Sequence, residues 1–130
     1  MCTGDDVAFV ATGETVIHAR LAAEALSAQG ISACVLSLPT IKPLDTAAVL
    51  AAAAECRALV TVEEHSVHGG LGEAVASTIL QAGVRVPFPI VGMPDEDTVT
   101  GAQADIFRHY GISMEGLVAT ARKLLDSVVA

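Results

Sequence analysis

The chain has 130 residues, of which 52% are hydrophobic, 17% charged and only 3% aromatic. This length suits one domain with a substantial core, and the composition excludes a disordered chain. The formal net charge is −8, from 7 basic and 15 acidic residues. Because the basic residues form no cluster that could neutralise phosphates, nucleic acid and anionic membrane surfaces are poor partners. We predict a single domain over residues 1–130.

The three cysteines, Cys2, Cys34 and Cys56, are widely spaced and form no C-x-x-C pair. Cys34 lies in an apolar strand pattern and Cys56 lies near a helix end, which favours buried free thiols and a reducing compartment. No apolar run approaches the roughly 20 residues needed to span a bilayer, and no signal peptide is visible. The sequence therefore predicts a soluble, cytoplasmic protein.

Apolar patterns predict four strands that alternate with helices. In chain order, the predicted elements are a strand over 7–11, a helix over 15–29, a strand over 31–38, a helix from 45 to about 56, a strand over 58–62, a helix from 69 to about 82, a strand over 88–91, and helices over about 102–110 and 114–128. Gly30 is a natural C-cap for the first helix, and Asp45 can cap the second. Pro39 ends the second strand, and Pro87 and Pro89 set off the fourth.

Strands that alternate with helices predict an α/β fold with three αβα layers around a mainly parallel sheet. If the second strand lies outside the first and the third lies on its other side, the strand order is 2-1-3-4. The order then switches between the first and third strands, where ligands commonly bind. Thr12-Gly13-Glu14 would face Glu64-His65-Ser66 across a crevice at this point.

The segment from Val60 to Gly72 carries most of the reactive groups near that crevice. Two carboxylates and two imidazoles lead into a glycine-rich turn that opens an apolar helix. Ionisable groups beside a helix N-terminus, at the carboxyl edge of a parallel sheet, are typical of a binding site. The candidate ligand-binding residues are Thr12, Gly13, Glu64, His65, His68, Gly69 and Gly70.

Each of these groups also has a structural interpretation. Glu64 and His65 can transfer protons as a pair, or they can hydrogen-bond the loop backbone and hold the turn. His65 and His68 have a spacing compatible with a metal, but no third ligand is evident nearby. The Gly69-Gly70 turn can bind an anion or can simply let the chain turn, and Glu63 beside Glu64 would repel an anion. We therefore predict no catalytic residue and no metal ligand in this chain.

A series of short segments follows in a consistent order and spacing along nearly the whole chain. The segments are Gly4-Asp5-Asp6-Val7, Ala11-Thr12-Gly13, Ala22 through Leu26 to Gly30-Ile31, Thr40-Ile41-Lys42-Pro43-Leu44-Asp45, Val60-Thr61-Val62-Glu63-Glu64-His65, Gly69-Gly70-Leu71-Gly72, Gly92-Met93-Pro94-Asp95 and Tyr110-Gly111-Ile112. This series resembles the C-terminal domain of the transketolase family, which includes transketolases, deoxyxylulose-phosphate synthases and the beta subunits of 2-oxo acid dehydrogenases. Pro39 departs from the family pattern, which commonly has Arg there, so a guanidinium contact made by relatives is not available.

The resemblance implies parent enzymes that use thiamine diphosphate and magnesium to carry two-carbon or acyl carbanion equivalents. It also implies that the diphosphate and metal site, with its Gly-Asp-Gly…Asn pattern, belongs to another domain, as does the glutamate that activates the aminopyrimidine. Gly4-Asp5-Asp6 is not that pattern, and no Gly-Asp-Gly occurs in the chain. We therefore expect this chain to bind no cofactor on its own.

Family domains usually begin with an antiparallel edge strand just before the Gly-Asp segment. Only Met1-Cys2-Thr3 precedes Gly4 here, which is too short for such a strand. We therefore expect a chain cut at that point, with the predicted strand over 31–38 left as an exposed sheet edge. Such an edge is open to self-pairing or to a partner strand.

The resemblance favours a C-terminal domain or small subunit of a thiamine-diphosphate-dependent transketolase-type enzyme. Its role would be structural, with no activity of its own. Its partners would be the catalytic thiamine-diphosphate-binding domains or subunits. Homodimer formation is left open. Two alternatives remain: a freestanding protein-interaction module, and a regulatory domain that binds a small anion in the crevice. The transketolase, synthase and oxo-acid dehydrogenase branches share this domain, so the substrate is left open.

Overall fold

The computed structural model describes residues 5–38, 44–66, 69–93 and 103–129. The elements in these ranges are β1 (Val7–Ala11), α1 (Thr15–Ala28), β2 (Ala33–Ser37), α2 (Thr46–Glu55), β3 (Ala58–Ser66), α3 (Leu71–Gln81), β4 (Ile90–Met93), α4 (Gln103–His109) and α5 (Met114–Val129). Strands and helices alternate up to β4, as the apolar pattern predicts.

Four parallel strands form one sheet in the order β2-β1-β3-β4. Val7 of β1 pairs with Ala33 of β2 on one side and with Ala58 of β3 on the other. The predicted strand order is therefore confirmed, and the order switches between β1 and β3. In the described ranges β2 has β1 as its only strand neighbour, so the segment expected over 31–38 does lie at a sheet edge.

The sheet separates two apolar cores because successive side chains of a strand point to opposite faces. Val7 and Phe9 pack on one face with buried residues of α1, α4 and α5. Ala8 and Val10 pack on the other face with α2 and α3. These layers confirm the predicted αβα architecture. Among the helices in the described ranges, none is long and apolar enough to cross a membrane.

Local signals at the helix ends act as the sequence predicts. Gly30 follows α1 with φ +82°, and the amide of the next residue, Ile31, donates to the Leu26 carbonyl at 2.9 Å. This left-handed turn closes the helix, and glycine adopts it without steric cost. The Asp45 carboxylate caps α2 by accepting from the Ala48 amide at 3.1 Å, which satisfies one of the free amides of the first turn.

The bounds of three strands differ from the expected ones: β2 spans Ala33–Ser37 instead of 31–38, and β4 ends at Met93 instead of 91. β3 continues to Ser66 instead of ending at 62, so both glutamates of the candidate segment lie inside the strand. β4 begins at Ile90 instead of 88. The carbonyls of Pro87 and Pro89 accept hydrogen bonds from amides of β3. Because proline has no N–H to donate back to β3, the regular strand pairing starts only after these residues.

The cysteines also depart in part from expectation. Cys56 is free and buried, as predicted. Cys34 is disulfide-bonded, so the prediction of a free thiol there is wrong. Cys34 lies on β2, which is at an edge of the described sheet and has only partly covered side chains, so the apolar strand pattern does not imply a buried thiol. Cys34 therefore gives no support to the inferred reducing compartment.

Candidate functional site

The candidate site lies where β1 ends beside β3, at the switch in strand order; Ala11 pairs with Val62, and β3 continues to Ser66. The Thr12 amide donates to the Val62 carbonyl at 3.4 Å, so the chain leaving β1 stays attached to β3. The fully buried Thr15 hydroxyl lies 2.6 Å from the Thr12 carbonyl and 3.1 Å from the Val62 carbonyl. Thr15 therefore ties the first turn of α1 to β3 at Val62.

Gly13 and Glu64 are in direct apposition across this edge. Gly13 has φ +61°, a backbone conformation that glycine adopts readily, and a Cβ atom built on it would lie 2.5 Å from Glu64 Oε1. The approach predicted between Thr12-Gly13-Glu14 and the β3 end is therefore present. It places one carboxylate oxygen above the β1–α1 turn.

Glu63 is fully buried and fills the position that an external anion would take at the start of α3. Its two carboxylate oxygens accept from the first amides of the helix, Oε1 from Leu71 at 2.9 Å and Oε2 from Gly72 at 2.8 Å. A carboxylate at a helix N-terminus gains from both the free amides and the helix dipole. The chain therefore supplies its own anion to this helix.

The glycine turn before α3 is also bonded within the chain. Gly69 has φ +70°, and its amide donates to Glu73 Oε1 from the first turn of the helix. Gly70 is the N-cap residue, in extended conformation and without a side-chain cap. Three amides of this turn, those of Gly69, Leu71 and Gly72, are thus bonded to carboxylates of the chain itself.

A shallow cavity of about 490 Å³ adjoins Gly13 along the first turns of α1. Its lining includes Glu14, the exposed Ile17, His18 and Arg20. The His18 ring packs edge-on against Phe107 of α4, with 5.4 Å between ring centroids. Glu14 and Glu64 lie near Gly13, and Arg20 is the one Lys or Arg in this lining. The edge is therefore acidic, and it favours ligands with hydrogen-bond donors or positive charge over anionic ligands.

The structure brings together only part of the predicted set. Thr12, Gly13 and Glu64 adjoin at the β1–β3 edge, and Gly69 and Gly70 precede α3. His65 lies in β3, and His68 lies outside the described residues. In the described ranges, no group of three His, Cys, Asp or Glu side chains is arranged to hold a metal ion.

Two residues that organise this edge, Thr15 and Glu63, were not singled out as site residues from the sequence. For Glu63 a signal was available: an alternating strand places it on the same face as Leu59 and Thr61, which points into the core. A buried carboxylate there needs donors, and the helix that follows supplies them.

Comparison with known proteins places the chain in a family. The family model for the C-terminal domain of transketolase matches residues 1–117. One of the subunits of the apulose-4-phosphate transketolase of Phocaeicola vulgatus is 46% identical over 118 residues, which is 91% of this chain and 37% of that protein. The 1-deoxy-D-xylulose-5-phosphate synthase of Thermomicrobium roseum is 42% identical over 116 residues, which is 89% of this chain and 18% of that protein.

A solved structure described as a split gene transketolase, an inactive beta4 tetramer, superimposes with a TM-score of 0.82 at 37% identity. The match covers 95% of this chain and 39% of that one. The chain thus spans between about a fifth and two-fifths of the length of the relatives named here. By the match of its sequence and of its fold, this chain belongs to the transketolase C-terminal domain family.

Proposed function

We propose that this chain is the C-terminal domain or small subunit of a transketolase-type, thiamine-diphosphate-dependent transferase of carbohydrate metabolism. The observation that carries the proposal is the family match over residues 1–117, together with 46% identity to one subunit of a transketolase. Its role is structural: it supports the assembly, and companion domains or subunits supply the cofactor and the catalytic groups.

The described residues at the strand ends do not fit the diphosphate group of the cofactor. The two amides at the start of α3 are bonded to Glu63, and the Gly69 amide is bonded to Glu73. Glu64 adds a carboxylate above Gly13. A diphosphate placed there would meet negative charge instead of free donors. Thiamine diphosphate and magnesium are therefore assigned in this proposal to the companion part of the enzyme.

We also propose one domain over residues 1–130, a cytoplasmic location, and a small-ligand role for Thr12, Gly13, Glu64, His65, His68, Gly69 and Gly70. Because this edge is acidic, a ligand with hydrogen-bond donors or positive charge fits these residues better than an anion does. A freestanding small-anion-binding module is the weaker alternative because Glu63 already occupies the helix terminus.

The experiment is to combine the purified chain with a companion chain that carries the Gly-Asp-Gly…Asn cofactor pattern, and to measure the mass of the product by sedimentation. We expect a stoichiometric complex that thiamine diphosphate with magnesium stabilises against heat, since binding raises the melting temperature by mass action. The isolated chain should show no such shift. Failure to associate with the companion chain, or a cofactor-induced shift in the isolated chain, would contradict the proposal.

A further inference from the structure

The outer edge of the sheet beyond β3 has unused backbone groups. Among the described residues β4 is the last strand of the sheet, and the segment over 84–89 leads into it. The Pro87 carbonyl accepts from the Leu59 amide at 3.0 Å, and the Pro89 carbonyl accepts from the Thr61 amide at 3.3 Å. Because backbone groups alternate in direction along an extended chain, those of Val86 and Phe88 point away from β3.

Prolines normally protect a sheet edge, but here they face inward. The backbone nitrogens of Pro87 and Pro89, which carry no hydrogen, face β3. The N–H groups of Val86 and Phe88 therefore remain available on the outer side of the sheet. Neither of those two residues makes a backbone hydrogen bond within the part of the chain that the structure describes. The edge is therefore able to pair with another extended strand.

An apolar groove of about 610 Å³ runs beside this edge, between the end of α3 and the segment over 84–88. Leu80 lines it and is 80% exposed, the largest exposure among the bulky apolar residues of the described ranges. Arg85 also lines it, and among the described residues its guanidinium forms no ion pair. Solvated apolar surface beside a free cation is a marker of an interaction site.

We infer that this surface, the β4 edge with residues 86–90, Leu80 and Arg85, binds an extended segment of the catalytic companion chain by strand addition. The inference rests on the proposed function for the identity of that chain. The free amides require an extended backbone, the groove takes an apolar side chain, and Arg85 pairs with a carboxylate of the segment. A second copy that pairs through this same edge fits less well because residues 82–93 contain no Asp or Glu to face Arg85.

A matched pair of variants isolates the backbone contribution. Val86→Pro removes the outward N–H, whereas Val86→Ala shortens the side chain and keeps the N–H. We expect Val86→Pro to raise the dissociation constant of the complex about five- to tenfold beyond Val86→Ala, as for one hydrogen bond. Arg85→Glu should weaken binding by at least that factor, whereas Arg122→Glu on the exposed face of α5 serves as the charge-matched control and should leave binding unchanged.

Hydrogen exchange of the Val86 and Phe88 amides gives the direct readout. In the complex both amides should exchange at least about tenfold more slowly than in the free chain, as expected for amides that become hydrogen-bonded. Unchanged exchange in a complex that does form would overturn this inference and leave the proposed function standing. Failure to form a complex would overturn both. Protection of the same amides in the isolated chain, rising with its concentration, would assign the edge to a second copy and overturn the inference.

Discussion

Glu63 connects β3 to α3 through its side chain, at a helix N-terminus where free amides would otherwise need another acceptor. The residue is fully buried, and its two oxygens accept from the Leu71 and Gly72 amides. Charge-assisted hydrogen bonds of this kind are stronger than neutral ones, and the buried carboxylate would be costly without them. Glu63 therefore fixes the end of β3 to the start of α3.

Replacement of Glu63 should lower the free energy of unfolding. Glu63→Ala removes both acceptors and leaves two buried amides without partners, for an expected loss of about 3 kcal/mol. Glu63→Gln keeps one acceptor and should lose about half as much. Urea unfolding measures both, and Glu24→Gln on the exposed face of α1 is the control. Equal stability of Glu63→Ala and the Glu24→Gln control would contradict the assigned role.

Cys56 should react slowly with alkylating agents in the folded chain. Burial raises the pKa of its thiol, and the nearby Asp5 carboxylate raises it further. At any pH below that raised pKa, less thiolate is present than in the unfolded chain, and the thiolate is the reactive form. We expect iodoacetamide at pH 8 to modify Cys56 at least about tenfold faster in urea, as followed by mass spectrometry of the Cys56 peptide. A urea-independent rate would show that the thiol is neither buried nor shifted.

At the scale of the residue, the sequence predicts which groups gather but not how each is used. The positions of Gly13 and Glu64 follow from strand order alone. The use of Glu63 depends on the register between β3 and α3, which a linear pattern does not reveal. The disulfide at Cys34 was missed because the apolar strand pattern does not show that β2 is only partly covered.

The packing of α3 on β4 depends on Gly72. A Cβ atom at this position would lie 2.4 Å from Ile90 Cγ2. We expect Gly72→Ala to lose about 1 to 3 kcal/mol of unfolding free energy through overpacking, although alanine is the better helix former. In a double-mutant cycle, the same substitution made in an Ile90→Ala background should cost nothing further. An equal cost in both backgrounds would place the strain elsewhere.

The turn between β1 and α1 allows a comparison of two left-handed glycines. Gly13 has φ +61° and faces Glu64, whereas Gly30 has φ +82° and would meet no atom within 4 Å. Gly30→Ala therefore measures backbone strain alone, about 1 to 2 kcal/mol. Gly13→Ala should cost about the same, because the flexible end of Glu64 can move aside. A loss at Gly13 larger by more than about 1 kcal/mol would show that Glu64 is held firmly in place.

At the scale of the element, patterns identify strands and helices well and their ends less well. α1 ends and α2 begins where Gly30 and Asp45 predict because caps act locally. β3 is longer than its apolar run because the helix that follows neutralises Glu63. β4 begins two residues later than expected because Pro87 and Pro89 precede it. The sequence shows the two prolines, but their effect on pairing depends on which of their groups face β3.

At the scale of the molecule, the sheet order follows from general rules. Alternating strands and helices with right-handed crossovers leave few arrangements, and the order 2-1-3-4 is among them. The open edge beyond β4 could not be predicted, because the direction of each backbone group depends on which carbonyls pair with β3. The proposed partner surface is therefore visible only in the assembled sheet.

The proposed function requires this domain to complete a transferase whose cofactor and catalytic groups lie in a companion chain. We would titrate the companion chain, at fixed concentration with thiamine diphosphate and magnesium, with this chain, and follow the rate of cofactor-dependent group transfer. We expect activity to rise from a low baseline and to saturate at one equivalent of this chain, with no activity from this chain alone. Full activity of the companion chain without this chain, or turnover by this chain in isolation, would overturn the proposed function.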